Sequence, residues 1–210
     1  MATINDLIDN ARYDLRDYQT GLEFDDLELV IFVNRMIRQM DSALTGLNSD
    51  LVRGETSLSL GGGASSLDIS SALNSGKWDS IRSLWIDRHK IVQMALDDLY
   101  YNRLMGAGTG KPNYWALEGQ TLQFDMISDQ PYTITCWYNK TTGDVIASAS
   151  TPYNGIFDDW LREMLVMHAK GKKEGTLGKT EMLYSELARK RAMEIQVRRS
   201  FVPKPYRIDF

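Results

Sequence analysis

The feature that most constrains the fold is a change in hydrophobic periodicity along the chain. Near both ends, apolar residues recur every three or four positions, which predicts amphipathic helices. These stripes begin at Ile4 and Leu29 and return at Ile156 and Leu183. In the middle, apolar and polar residues alternate, which predicts strands. Helices at both ends with strands between them predict an α+β fold.

Capping signals mark where several of these helices begin. Thr3 followed by Asp6 is a capping-box pattern. Asn154 is a capping candidate for the third terminal helix, and Thr180 can cap the last one. The glycine- and lysine-rich stretch 170–178 is expected to break the helical pattern between them.

The middle of the chain predicts a small set of strands and one helix. The strands are expected at 56–60, 81–86, 114–118, 122–124 and 132–138. The helix is expected from Ile91 to Leu104, and Gly61–Gly63 with the serines after it is expected to be a flexible loop. The fold class predicted is therefore a helical bundle, formed by the N- and C-terminal helices, with an inserted small antiparallel β region.

This organisation predicts four segments. Residues 1–50 are the N-terminal helices of the bundle, and 51–150 are the inserted β-rich region with one helix. Residues 151–199 are the C-terminal helices. Residues 200–210 cannot continue the last helix, because Pro203 and Pro205 each lack a backbone N–H, and they are expected to form an extended arm.

Composition indicates a folded, soluble protein. Of the 210 residues, 43% are hydrophobic and 25% are charged, which is close to the average for globular proteins and unlike disordered ones. No apolar run of about 18 residues and no secretion signal is present, so we expect neither a membrane span nor export by that route. The single Cys136 cannot form an internal disulfide and suits a reducing cytoplasm.

The net charge of −4 conceals an uneven distribution. Up to Ala169 there are 13 Lys or Arg against 23 Asp or Glu, and from Lys170 onward there are 11 against 5. The body is therefore acidic and the tail is basic, which suits docking onto an acidic neighbour. The alternative is a solvated charged helix without a partner.

No pattern in the sequence predicts catalysis, a cofactor or a metal site. The stretch from Gly106 to Lys111 resembles a phosphate-binding loop, but Met105 and Pro112 stand where a glycine and a hydroxyl residue are needed. His89 and His168 have no second ligand at metal-binding spacing, so a surface or core-edge position is expected for each. We therefore expect a protein that is not an enzyme.

Aromatic residues and the last ten residues favour a binding role. Several aromatics fall among the predicted strands, where they suit either a subunit contact or a small β core. The segment from Phe201 to Phe210 carries more large apolar side chains than a free tail usually does. Its prolines reduce the entropy lost on binding, so we interpret it as a docking arm.

Three stretches resemble the head-to-tail adaptor proteins (connector or neck proteins) of tailed bacteriophages. They are Tyr114-Trp115-Ala116-Leu117-Glu118-Gly119-Gln120-Thr121-Leu122-Gln123-Phe124, Tyr132-Thr133-Ile134-Thr135-Cys136-Trp137-Tyr138 and Pro152-Tyr153-Asn154-Gly155-Ile156-Phe157-Asp158-Asp159. In such adaptors a strand pair sits between N-terminal helices and two C-terminal helices. The similarity in element order covers most of the chain.

The resemblance implies a structural virion protein in the neck between capsid and tail, present in the host cytoplasm during assembly. It implies a homo-oligomeric ring, usually a dodecamer, that joins the portal protein to a downstream tail or nozzle protein. Double-stranded DNA would pass through it without sequence-specific binding, and no membrane is involved. The portal contact would fall on the residues at the end of the last helix and in the arm: Arg198, Arg199, Phe201, Val202, Pro203, Pro205, Tyr206 and Phe210.

Two other functions remain open at this point. The chain could be another tail-completion or tail-tube component, which keeps the assembly role and changes the partner. It could instead be a nucleic-acid-binding regulator that contacts phosphates through its basic tail. The residues concerned are Lys170, Lys172, Lys173, Arg189, Lys190, Arg191, Arg198 and Arg199.

Overall fold

The computed structural model describes residues 2–15, 24–106, 108–175 and 177–200. The helices in these ranges are α1 (Ile4–Leu15), α2 (Asp26–Gly46), α3 (Leu96–Leu104), α4 (Asp158–Lys173) and α5 (Leu177–Ser200). The strands are β1 (Arg53–Leu60), β2 (Ser66–Asp68), β3 (Trp78–Ile86), β4 (His89–Gln93), β5 (Tyr114–Glu118), β6 (Thr121–Phe124) and β7 (Tyr132–Lys140).

The chain divides into two compact units. A helical unit takes the residues up to Leu51 and those from Thr142 onward, and it contains α1, α2, α4 and α5. A sheet unit, Val52–Thr141, contains α3 and all seven described strands. The strand order across the sheet is β1-β7-β3-β4-β5-β6-β2.

The predicted fold class is wrong in the relative size of its helical and β parts, and in the topology of the sheet. A curled seven-stranded sheet, shaped as a half-barrel, dominates the molecule, in place of a helical bundle with a small β insertion. The sheet is also mixed, because β4 and β5 are parallel while every other neighbouring pair is antiparallel. A parallel pair needs a crossover connection, and the chain segment containing α3 supplies it.

The sequence does not predict β4. Its apolar residues and those of α3 together recur at helical spacing, so the two elements resemble one helix. Ile91 and Leu99 are both buried, but Ile91 lies in β4 and is paired with Leu84 of β3. Asp87 begins the tight turn between β3 and β4, with a φ of 55° that Asp tolerates better than most residues. The expected helix from Ile91 therefore begins only at Leu96.

The sequence does not predict β2, because its serine-rich composition is typical of a loop. Its hydrogen bonds come from distant parts of the chain, so local sequence carries little sign of them. Leu67 of β2 is paired with Leu122 of β6. The preceding glycine segment is also tied down, since Gly63 N donates to Ser128 O at 2.7 Å.

One face of the sheet holds the core of the sheet unit. Leu58 of β1 and Ile86 of β3 are both paired with Ile134 of β7, so apolar side chains meet across three strands. The other buried members are Leu60, Ile69, Leu73, Leu84, Ile91, Trp115, Leu122, Phe124, Cys136 and Tyr138. Burial raises the pKa of the Cys136 thiol to about 12.

Gly54 provides the space in which the Tyr138 ring lies. The two residues are paired across β1 and β7. A Cβ added at Gly54 would lie 2.5 Å from Tyr138 Cζ, which is closer than atoms can pack. Glycine is therefore needed here for the close approach of a ring.

Gly54→Ala is expected to lower the free energy of unfolding by about 1–3 kcal/mol, because Tyr138 must move to make room. Gly61→Ala is the control, since a Cβ there meets nothing within 4 Å. Urea unfolding monitored by circular dichroism measures both variants. Equal stability of the two variants would contradict this account of Gly54.

The helical unit is held together by polar groups of α2 that bind the loop before α4. Asn34 exchanges two hydrogen bonds with Val145, at 2.9 Å and 2.7 Å. Asp41 accepts hydrogen bonds from Thr142 N at 2.8 Å, from Thr142 Oγ1 at 3.0 Å and from the Tyr153 hydroxyl. Asn34 and Asp41 are both buried. Their hydrogen bonds fix the returning chain on α2.

Asp41→Ala is expected to lower the free energy of unfolding by about 2–4 kcal/mol, because it leaves the Thr142 amide and the Tyr153 hydroxyl without their acceptor. Asp144→Ala, in the same loop, is the control. Its carboxylate is well exposed and lies 3.5 Å from Arg38, so a change within about 0.5 kcal/mol is expected. If Asp41→Ala changed the free energy of unfolding no more than Asp144→Ala does, this role of the Asp41 hydrogen bonds would be refuted.

Candidate docking site on the last helix

The last helix, α5, is anchored by one face. Its buried residues are Tyr184, Ala188, Ala192 and Ile195, which recur at helical spacing. This face packs on α2 and α4. Leu183, Met193 and Val197 are exposed on α5. The helix is thus firmly held while part of its apolar surface is left open.

His168 of α4 lies in the centre of this packing. The expectation of a surface or core-edge position is wrong for it, since only 2% of the residue is exposed. Its ring stacks on Phe32, and its Nδ1 lies 3.2 Å from the hydroxyl oxygen of Tyr184. Burial, together with the positive charges of Arg35 and Lys172, lowers the pKa of His168 to about 4.

The neutral His168 makes stability depend on pH. Because its pKa is lower in the folded than in the unfolded chain, the unfolded chain binds the extra proton between about pH 6.5 and 4. The free energy of unfolding should therefore fall by up to about 3 kcal/mol as pH drops through that window. His168→Leu should remove this part of the slope in urea titrations across pH, and the exposed His89→Gln should keep it. Identical slopes in the two variants would contradict this role of His168.

Two shallow grooves flank α5. The first, of about 320 Å³, runs beside the end of α2 and is lined by Gln39, Ser42, Ala43, Gly46, Leu47 and Arg189. The second, of about 230 Å³, lies between α4 and α5 and is lined by Asp159, Trp160, Glu163, Met164, Leu187, Lys190, Arg191 and Glu194. Both are open; charged side chains line most of the second groove and only Arg189 is charged in the first. Open grooves suit contact with a polypeptide better than enclosure of a small substrate.

The predicted portal-docking residues fall at and beyond the end of α5. Arg198 and Arg199 lie in its final turn. Phe201, Val202, Pro203, Pro205, Tyr206 and Phe210 lie outside the described residues. The described part of the site is therefore the helix that leads into the arm, together with the basic cluster Arg189, Lys190 and Arg191, about two to three turns before Arg198 and Arg199.

Sequence reasoning missed the lining of the α2 groove. Ser42 and Gly46 are one turn apart, so they share a face of α2 and leave room beside α5. Gln39 also lines it, and its side-chain oxygen is buried without a hydrogen-bond partner among the described residues. The spacing of the small residues Ser42 and Gly46 was the only sign of this groove in the sequence. Which helix faces them depends on packing between distant parts of the chain.

Other candidate chemical groups from the sequence are placed in structural roles. Lys111 belongs to the glycine-rich stretch, and its Nζ lies 2.9 Å from Asp87 Oδ2. In the same stretch, Gly110 N donates to Ile127 O at 2.8 Å. Asp158 and Asp159, which end the third stretch that resembles phage adaptors, lie in the first turn of α4. In the described part of the chain, no three His, Cys, Asp or Glu side chains are grouped as metal ligands. None of the helices described there has the length and apolar character to cross a bilayer.

Comparison with known proteins does not place the chain in a family: no family model matches it, and no curated protein matches it.

Proposed function

We propose that the chain is a structural virion protein, a head-to-tail adaptor that forms a homo-oligomeric ring between the portal and the tail of a bacteriophage. The observation that carries the proposal is the anchored last helix. Its buried face, up to Ile195, fixes α5 on α2 and α4, while its final turn with Arg198 and Arg199 leads directly into the apolar, proline-containing arm. A helix that is anchored along one face, and whose sequence continues into an apolar segment with two prolines, suits assembly better than catalysis.

In this proposal the arm and the last turn of α5 dock onto the portal. The arginines approach acidic groups of the portal, and the apolar side chains of the arm lie in its grooves. The prolines of the arm limit its freedom before binding, so less entropy is lost in the complex. The other end of the ring meets a tail or nozzle protein.

The acidic body suits passage of double-stranded DNA. Up to Ala169, Asp and Glu outnumber Lys and Arg by 23 to 13. A wall of like charge does not hold the phosphate backbone, so DNA could slide through a ring of such subunits. The proposal therefore includes contact with DNA without sequence-specific binding.

The experiment is assembly onto the portal protein of the same particle. Wild-type protein is expected to bind portal rings and to appear as a ring beneath them by electron microscopy. Removing the residues after Ser200, or making Arg198→Glu with Arg199→Glu, should weaken portal binding at least tenfold, about 1.4 kcal/mol. Arg88→Glu, a charge reversal at an exposed turn of the sheet unit, is the control and should bind normally.

Four outcomes would overturn the proposal or change the partner. Absence of the protein from purified virions, or its presence there only as a monomer, would overturn it. Crosslinks to tail proteins and none to the portal would favour a tail-completion or tail-tube component. Salt-sensitive DNA binding, lost on reversal of Arg198 and Arg199, would favour a nucleic-acid-binding regulator.

A further inference from the structure

The outer face of the sheet, opposite the core, carries a pair of tryptophans. Successive strand residues point to opposite faces, so Trp85 and Trp137 point away from the buried core residues beside them. Trp137 is paired with Ser83, and Trp85 is paired with Thr135. The two indoles are therefore diagonal neighbours on adjacent strands, within reach of one another.

Basic side chains surround these indoles. Arg53 Cζ lies 4.7 Å from the centre of the Trp137 ring. Lys90 is exposed and is paired with Trp85 across β3 and β4. Arg82 donates its Nε to Asn139 Oδ1. We call Arg53, Arg82, Trp85, Lys90 and Trp137 the outer platform.

The chemistry of the outer platform is that of a protein interface. Tryptophan and arginine are enriched at the centres of such interfaces. Glu55 is the acidic residue paired with Trp137, so the platform carries three positive charges beside one negative charge. It therefore suits a partner with carboxylates and apolar side chains.

The chain itself carries such a surface where α1 meets α2. Arg12 donates to Phe24 O at 2.7 Å and also binds Asp26, which draws the end of α1 to the start of α2. Large apolar side chains are exposed there: Tyr13 (73%), Leu27 (66%) and Ile31 (56%). We call Asp9, Tyr13, Asp26, Leu27 and Ile31 the acidic corner.

The two surfaces are complementary in charge and in apolar character. The acidic corner contributes Asp9 and Asp26, with Arg12 paired to Asp26, whereas the outer platform contributes Arg53, Arg82 and Lys90 beside Glu55. We infer that the outer platform of one copy binds the acidic corner of the next. Contact between two different surfaces of identical chains is heterologous, and it gives a closed ring when the rotation closes. The inference rests on the proposed ring and names the surfaces that join its subunits.

The test is a charge exchange in the full-length protein, with self-association measured by analytical ultracentrifugation. Lys90→Glu and Asp9→Lys should each raise the dissociation constant at least tenfold, because each places like charges in contact. Combining the two should restore much of the affinity. Ile31→Ser should weaken association to a similar extent.

Two matched controls keep the test specific. Lys140→Glu reverses an exposed charge at the end of β7, and Ile146→Ser replaces a side chain that is 69% exposed outside the acidic corner. Both should associate like wild type, and circular dichroism checks that every variant folds.

A wild-type chain that stays monomeric at all concentrations would overturn the inference. So would a ring that persists unchanged in Lys90→Glu and Asp9→Lys, and that result would leave the proposed adaptor function standing. If Lys90→Glu instead abolished binding of a fluorescent single-stranded DNA without affecting self-association, the platform would be a nucleic-acid surface and the inference would be wrong.

Discussion

The helical unit depends on the hydrogen bonds that the buried carboxylate of Asp41 accepts. The chain leaves this unit after Leu51 and re-enters it only at Thr142, so α1 and α2 must be joined to α4 and α5 without a short connection. Asp41 receives hydrogen bonds from Thr142 and Tyr153, and Asn34, about two turns earlier on α2, binds Val145. These hydrogen bonds attach the start of the returning chain to α2.

The helices could be predicted because their signals are local. Thr3 and Asp6 form the expected capping box, with Asp6 N bound to Thr3 Oγ1 at 3.1 Å and Thr3 N bound to Asp6 Oδ2 at 2.7 Å. The sheet was underestimated because its decisive partners are distant in sequence. β2 is a strand only because it is paired with β6, and β4 because it lies between β3 and β5. Periodicity identifies an amphipathic segment, but it does not say which neighbour completes a ladder.

The candidate site was predictable to a similar extent. Charge and proline content drew attention to Arg198, Arg199 and the arm without any knowledge of packing. The groove beside Gly46 and the burial of His168 could not be found this way, because both depend on how α2, α4 and α5 meet. Aromatic richness in the strands was ambiguous between core and contact surface. The structure shows both, with Trp115 buried in the core and Trp137 on the opposite face.

The burial of Cys136 has a practical consequence. The folded sheet shields the native thiol, and its raised pKa disfavours the reactive thiolate at neutral pH. A cysteine introduced at the surface can therefore be labelled with a maleimide dye while Cys136 remains unlabelled. The same property makes Cys136 a reporter of sheet opening, since its rate of alkylation measures how often β7 separates from its neighbours.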